Sequence, residues 1–119
     1  MDLSASTPRL RREQVAGMNI HYIMWSLDYF LDAQQRLGFK TIELWAAEPH
    51  VTLDHTGYFE ADELRRKIES RGLSVSSLCP ENVVYPWQYA ARKPLHAQRS
   101  LAYFKHGIEL AEVLGAPYM

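Results

Sequence analysis

The sequence predicts an α/β fold in which parallel strands alternate with helices, and three observations predict it. A unit of helix, glycine and strand recurs, as LGFKTIEL (37–44), RGLSVSSL (71–78) and LGAPYM (114–119). The intervals between Gly17, Gly38, Gly72 and Gly115 grow from 21 to 34 to 43 residues. They grow because the segments after the strands lengthen while the helix-to-strand turns stay short. Each strand is joined to the next through a helix, a connection that a hairpin cannot make, so the strands pair in parallel. About three and a half such units fit the chain.

Composition bounds the function classes. The 119 residues suffice for one small domain, 47% of them apolar and 23% charged. A formal net charge of −1 offers neither nucleic acid nor an anionic membrane a counterpart. No apolar run approaches the roughly 18–20 residues that cross a bilayer. MDLSASTPRLRREQVAG lacks the apolar core of a secretory signal. Cys79 is the single cysteine, which rules out an intrachain disulfide. The expectation is a cytoplasmic chain with no nucleic acid and no membrane partner.

Residues 1–16 read as a polar extension, with Arg9, Arg11 and Arg12 clustered, and the units occupy 17–119. Met18 to Met24 is short, apolar and aromatic, and reads as the first strand. Ser26 caps a helix running to Leu37, with Asp28 in the first turn favoured by the helix dipole. Phe30, Ala33 and Leu37 form its apolar stripe, and Gly38 supplies the positive φ that ends it. Thr41 to Trp45 is the second strand, and 46–59 a loop rich in Pro, His and Asp.

Asp62 to Arg71 is the second helix, with Leu64 and Ile68 inward and Gly72 at its end. Leu73 to Cys79 is the third strand, followed by the loop PENVVYPWQYAARK. Pro94 suits the first turn of a third helix, because the N–H it lacks has no partner there. Leu101, Phe104, Ile108 and Ala111 read as its apolar stripe, running on to Leu114. Gly115 ends it, and APYM reads as the start of a fourth strand.

Both an open sheet and a barrel use this unit. A dinucleotide-binding sheet needs a glycine-rich turn after its first strand, and here that turn is IMWSLDY. Glu43 alternates with Ile42 and Leu44 and so points to the opposite face. In a doubly wound sheet that face lies under helices, whereas in a barrel it is the lumen, where polar residues pair. A strand-end glutamate reaching water is the plainer reading.

IELWAAEPH (42–50), CPEN with its following YPW (79–87) and MWSLDYF (24–30) resemble the xylose isomerase-like TIM barrel superfamily. The likeness extends from Met18 to Met119. It is nearest to fructoselysine 3-epimerase and the ketose 3-epimerases. Endonuclease IV-like enzymes and inosose dehydratases share the fold. The resemblance implies a sugar isomerase or epimerase that moves a proton beside a carbonyl, with a divalent metal (Mn, Co, Mg or Zn) holding the enediolate charge. In the family the metal ligands and both catalytic Glu come from the later half of the barrel. The chain is therefore expected to be the first part of a TIM barrel, with no catalytic or metal residue of its own and inactive alone. Unpaired strand edges would favour a self-associating homo-oligomer.

What the resemblance assigns to this half is the substrate wall. His21, Trp25 and Tyr29 follow the first strand, Trp45 and His50 the second, and Glu81 and Asn82 the third. Aromatic faces stack on the C–H side of a sugar, while His, Asn and Glu bond its hydroxyls. Each has a plainer reading. Trp25 and Trp45 serve equally as plugs of the barrel mouth, Glu81 and Asn82 as turn caps, and His50 as a solvated loop residue. Glu48, His50, Asp54 and His55 crowd one loop, but their spacing imposes no metal geometry. Tyr85, Trp87 and Tyr89 make an aromatic loop suited to covering a pocket or meeting a second subunit. Cys79 has no neighbouring base and reads as a small buried hydrophobe.

Overall fold

A computed structural model describes residues 10–82 and 87–119. Strands β1 (Gly17–Met18), β2 (Thr41–Ala46) and β5 (Ser74–Pro80) form one parallel sheet in the order β1-β2-β5. Helix α1 (Leu27–Leu37) connects the first pair and α2 (Ala61–Glu69) the second, while α3 (Pro94–Leu114) follows β5. Parallel strands alternating with helices are thus the architecture, an open arc of barrel wall. Helix α2 starts one residue before the expected Asp62–Arg71 frame and ends two residues short of it.

The expected caps are in place. Ser26 Oγ accepts from the Tyr29 N–H at 3.1 Å, and Gly38 and Gly115 end α1 and α3 in the left-handed region at φ 76° and 68°. Arg12 adds a cation where the helix dipole is negative, its guanidinium donating to the Leu37 carbonyl at 2.9 Å.

Alternation sorts the sheet into two faces. Ile42 and Leu44 of β2, with Val75 and Leu78 of β5, are buried against Phe30, Leu31, Ile68 and Leu110 of the helices. Removing such a side chain costs about 2–5 kcal/mol through lost transfer energy and the cavity left behind. Glu43, Ser77 and Cys79 lie on the other face, with Glu43 paired in register to Met18 and Ser77. The register slips between Ile42 and Glu43, so that Ser76 is an extra residue whose hydroxyl donates to the Ile42 carbonyl at 3.0 Å.

Helices α1 and α2 are clamped by one arginine. Arg71 donates to Asp32 at 2.6 Å, to Asp28 at 2.9 Å and to the Lys67 carbonyl at 2.9 Å. The carboxylates hold its guanidinium pKa above the ordinary value, Asp32 foremost through its hydrogen bond.

Four expectations are corrected. The first strand does not run from Met18 to Met24: β1 stops at Met18, and Asn19–Tyr22 form a 3-10 turn. The apolar stripe of α3 is displaced. Ser100, Tyr103, Gly107, Leu110, Ala111 and Leu114 face inward, whereas Leu101, Phe104 and Ile108 are exposed. Gly107 lets the helix approach the sheet closely, since a Cβ there would lie 3.2 Å from Pro80, and buried Ser100 accepts from the Gln88 N–H at 2.6 Å. Leu37 is likewise exposed at the end of α1. Finally, 46–59 is not plain loop, since β3 (Leu53–Asp54) and β4 (Gly57–Tyr58) pair as a hairpin. Asp54 holds its turn by accepting from the Thr56 N–H and hydroxyl.

APYM is not assigned as a strand, though the Leu78 N–H donates to the Tyr118 carbonyl at 2.9 Å, the pairing a fourth strand would begin with. Residues 1–9 of the N-terminal extension, and Tyr85 of the aromatic loop, lie outside the described residues.

Candidate functional site

The carboxyl ends of β1, β2 and β5 meet on one rim, and the residues that follow them are tied together. Asn19 is fully buried at the end of β1. Its Oδ1 accepts from the Trp45 N–H at 2.7 Å and its Nδ2 donates to the Trp45 carbonyl at 3.0 Å. A side-chain amide thus extends the β1–β2 ladder after the β1 backbone has turned away, which is why two strand residues suffice. Asn19 is the site residue that sequence reasoning missed. The signal present was a polar residue inside the apolar run MNIHYIM.

After β1 the 3-10 turn leaves His21 exposed, at the start of the loop and not at a strand end. Trp25 and Tyr29, 51% and 47% exposed, lie nearly parallel with ring centroids 6.1 Å apart. Tyr22 backs them, edge-on to Trp25 at 6.2 Å and to the buried Phe30 at 5.1 Å. Together they form an aromatic shelf rooted in the core.

After β2, Trp45 is buried and its indole N–H donates to the Glu81 carboxylate at 2.8 Å. His50 bonds Asn19 Nδ2 through Nδ1 at 3.0 Å and the Trp25 carbonyl through Nε2 at 2.9 Å. After β5, Glu81 is only 6% exposed. Asn82 donates to the Pro80 carbonyl at 2.9 Å and accepts from the Tyr89 hydroxyl at 2.7 Å. Trp25, Trp45, His50 and Glu81 are therefore brought together through Asn19, whereas Asn82 belongs to the fold of its own loop.

A cavity of about 180 Å³ lies beside this rim, between Ala46, Leu53, Glu81, Trp87 and Tyr103. Trp87 stacks on Tyr103 at 4.1 Å and closes it on one side. Burial pushes the Tyr103 hydroxyl pKa far above its ordinary value, despite a hydrogen bond to the Glu81 backbone. The Cys79 thiol is pushed up as well, first by burial and then by the Glu43 and Glu81 carboxylates. It is half-buried and held as the thiol, so nothing equips it as a nucleophile.

The crowded acids and histidines do not converge. Glu48 accepts from Thr52 at 2.6 Å, and Asp54 is spent on Thr56, whose hydroxyl hydrogen bond holds the Asp54 carboxyl below its ordinary range. Among the described residues no three His, Cys, Asp or Glu side chains are grouped to hold a metal ion. The described side chains do not fit the divalent cation that the resemblance implies. Nor, among the described residues, is any helix long and apolar enough to cross a membrane.

No curated protein and no solved structure matches the chain. A family model described as xylose isomerase-like TIM barrel matches residues 31–119. That match takes in the later part of α1, β2, α2, β5, α3 and the rim residues Trp45, His50, Glu81 and Asn82, in the parallel arrangement just described. The chain belongs to the xylose isomerase-like TIM barrel family.

Proposed function

We propose that this chain supplies one wall of the substrate site of a sugar isomerase or epimerase. The observation that supports the reading is the rim itself: an exposed Trp25–Tyr29 shelf beside a buried Trp45–Glu81 pair, at the carboxyl ends of parallel strands. In this family fold, that end of the sheet is where ligands are taken up. The family includes sugar isomerases and epimerases as well as endonuclease IV. A near-zero net charge favours a neutral ligand over a polyanion.

The residues divide the work by chemistry. Trp25 and Tyr29 take the C–H face of a ketose or ketosamine, where apolar contact needs no hydrogen bonds. The Glu81 carboxylate, held by the Trp45 indole, adds an acceptor for a sugar hydroxyl at the cavity edge. His50 holds the shelf in place, with both ring nitrogens bonded to protein groups. Proton transfer beside the carbonyl, with a divalent metal to hold the enediolate charge, falls to groups other than those described.

Titrating the chain with D-fructose under tryptophan fluorescence tests the reading. Saturable quenching is expected, and Trp25→Ala should weaken it about three- to tenfold, the worth of one aromatic contact. Absence of saturable binding by any ketose or ketosamine, or binding by Trp25→Ala and Tyr29→Ala as tight as that of the unmodified chain, would refute it.

A further inference from the structure

We infer that Asn19 is a positioning residue that fixes His50 as the Nε2–H tautomer and through it anchors the Trp25 shelf. The inference rests on the carbohydrate reading only for what the shelf binds; the latch follows from hydrogen-bond polarity.

The Trp45 N–H can only donate, so the Asn19 atom facing it at 2.7 Å is the oxygen. The Asn19 amide nitrogen then has two hydrogens. One goes to the Trp45 carbonyl at 3.0 Å and the other to His50 Nδ1 at 3.0 Å. An amide N–H₂ cannot accept, so Nδ1 carries no proton. The opposite ring nitrogen faces the Trp25 carbonyl at 2.9 Å. A carbonyl cannot donate, so Nε2 carries the proton. The two ends agree on a single neutral tautomer, and that agreement is what a chance loop histidine would lack.

The consequence is directional. Polarity set by the β2 backbone passes through Asn19 and His50 to the main chain of Trp25, 25 residues before His50. Trp25 and Tyr29 are half-exposed; α1 holds Tyr29, whereas the Trp25 backbone is held by its N–H donating to the Tyr22 carbonyl at 2.8 Å and by the His50 bond to its carbonyl. An ordered shelf binds with less loss of side-chain and loop freedom than a loose one. Asn19 and His50 thus act through Trp25 and need not touch the ligand.

Long-range ¹H–¹⁵N spectra of the histidine-labelled chain at pH 8 read the tautomer directly. His50 should give the pure Nε2–H pattern. A mixed or Nδ1–H pattern at His50 in the unmodified chain overturns the inference without any variant. Asn19→Asp replaces the donor by an acceptor and should put a proton on Nδ1, as the imidazolium that keeps Nε2–H on the Trp25 carbonyl or as the Nδ1–H tautomer. An unchanged Nε2–H pattern in folded Asn19→Asp also overturns it.

His50→Gln keeps an acceptor and a donor, whereas His50→Ala keeps neither. With 5-fluorotryptophan, the Trp25 ¹⁹F resonance should stay near its original shift in His50→Gln and move toward the free value in His50→Ala. Equal shifts in both would overturn the anchoring role. A latch present in a chain that binds no D-fructose would sink the carbohydrate reading alone; fructose binding with averaged His50 would sink the latch alone.

Discussion

Raising the pH should unfold this chain through Tyr103, and the size of the effect can be worked out. Tyr103 is 1% exposed and lies under Trp87, with its hydroxyl against the Glu81 backbone. Its folded pKa is raised well past the value of about 10 that an unfolded tyrosine shows. A group with a raised folded pKa contributes stability that is whole below the unfolded pKa and is lost as pH climbs toward the folded one. At pH 11 the unfolded phenol is mostly ionised and the folded one is not, which favours unfolding by about RT ln 11, or about 1.4 kcal/mol. Cys79 and Tyr89 are also pushed up, mainly by burial, and add to the alkaline loss. They are common to the unmodified chain and Tyr103→Phe, so the difference between the two isolates Tyr103. Urea melts followed by circular dichroism at pH 8 and pH 11 should show Tyr103→Phe losing about 1.4 kcal/mol less than the unmodified chain. An equal loss in both would refute the burial of that hydroxyl and with it the packing of α3 on the β5 end.

Two further outcomes test the rest of the structure. Arg71→Met should destabilise the chain by about 1–2 kcal/mol at low salt and by less at high salt, because it removes charge-assisted bonds to two half-exposed aspartates; a salt-independent loss in thermal melts would point to packing of the arginine stem instead. At pH 8 the Cys79 thiol should react with iodoacetamide more slowly in the folded chain than in urea, since burial and the Glu43 and Glu81 carboxylates disfavour the thiolate. Glu43→Gln should recover part of the rate, and reaction as fast as the unfolded thiol would contradict the assigned face of β5.

The order of elements was legible because the local signals agree with the final packing. Ser26, Gly38 and Gly115 sit where a cap or a positive φ is required, and each marks a boundary through backbone chemistry alone. Faces were harder. In α3 the apolar residues outnumber what one sheet face can cover, so periodicity offers Leu101, Phe104 and Ile108 as readily as Tyr103 and Leu110. The choice is made by Gly107, whose missing side chain admits close approach to Pro80, a tertiary fact. MNIHYIM reads as a strand on composition, yet Asn19 spends its side chain on the Trp45 backbone and the chain curls into a 3-10 turn. The hairpin at 53–58 carried a readable Asp-to-Gly turn within a segment too short and polar to suggest strands. At the site, Trp25, Trp45, His50 and Glu81 are gathered at one rim, but the residue that gathers them bonds across 26 positions of sequence.

The surplus serine at 76 has a bearing on how this strand tolerates change in length. Val75 and Leu78 stand three apart, an odd spacing, yet both dip into the helical layer because the strand takes one step that its neighbour does not. Dropping residue 76 would leave a plain zigzag with every later side chain still on its own side. Dropping any one residue from 78 to 80 with that extra step kept would instead turn the remainder of the strand over, carrying the Glu81 carboxylate away from the indole that holds it.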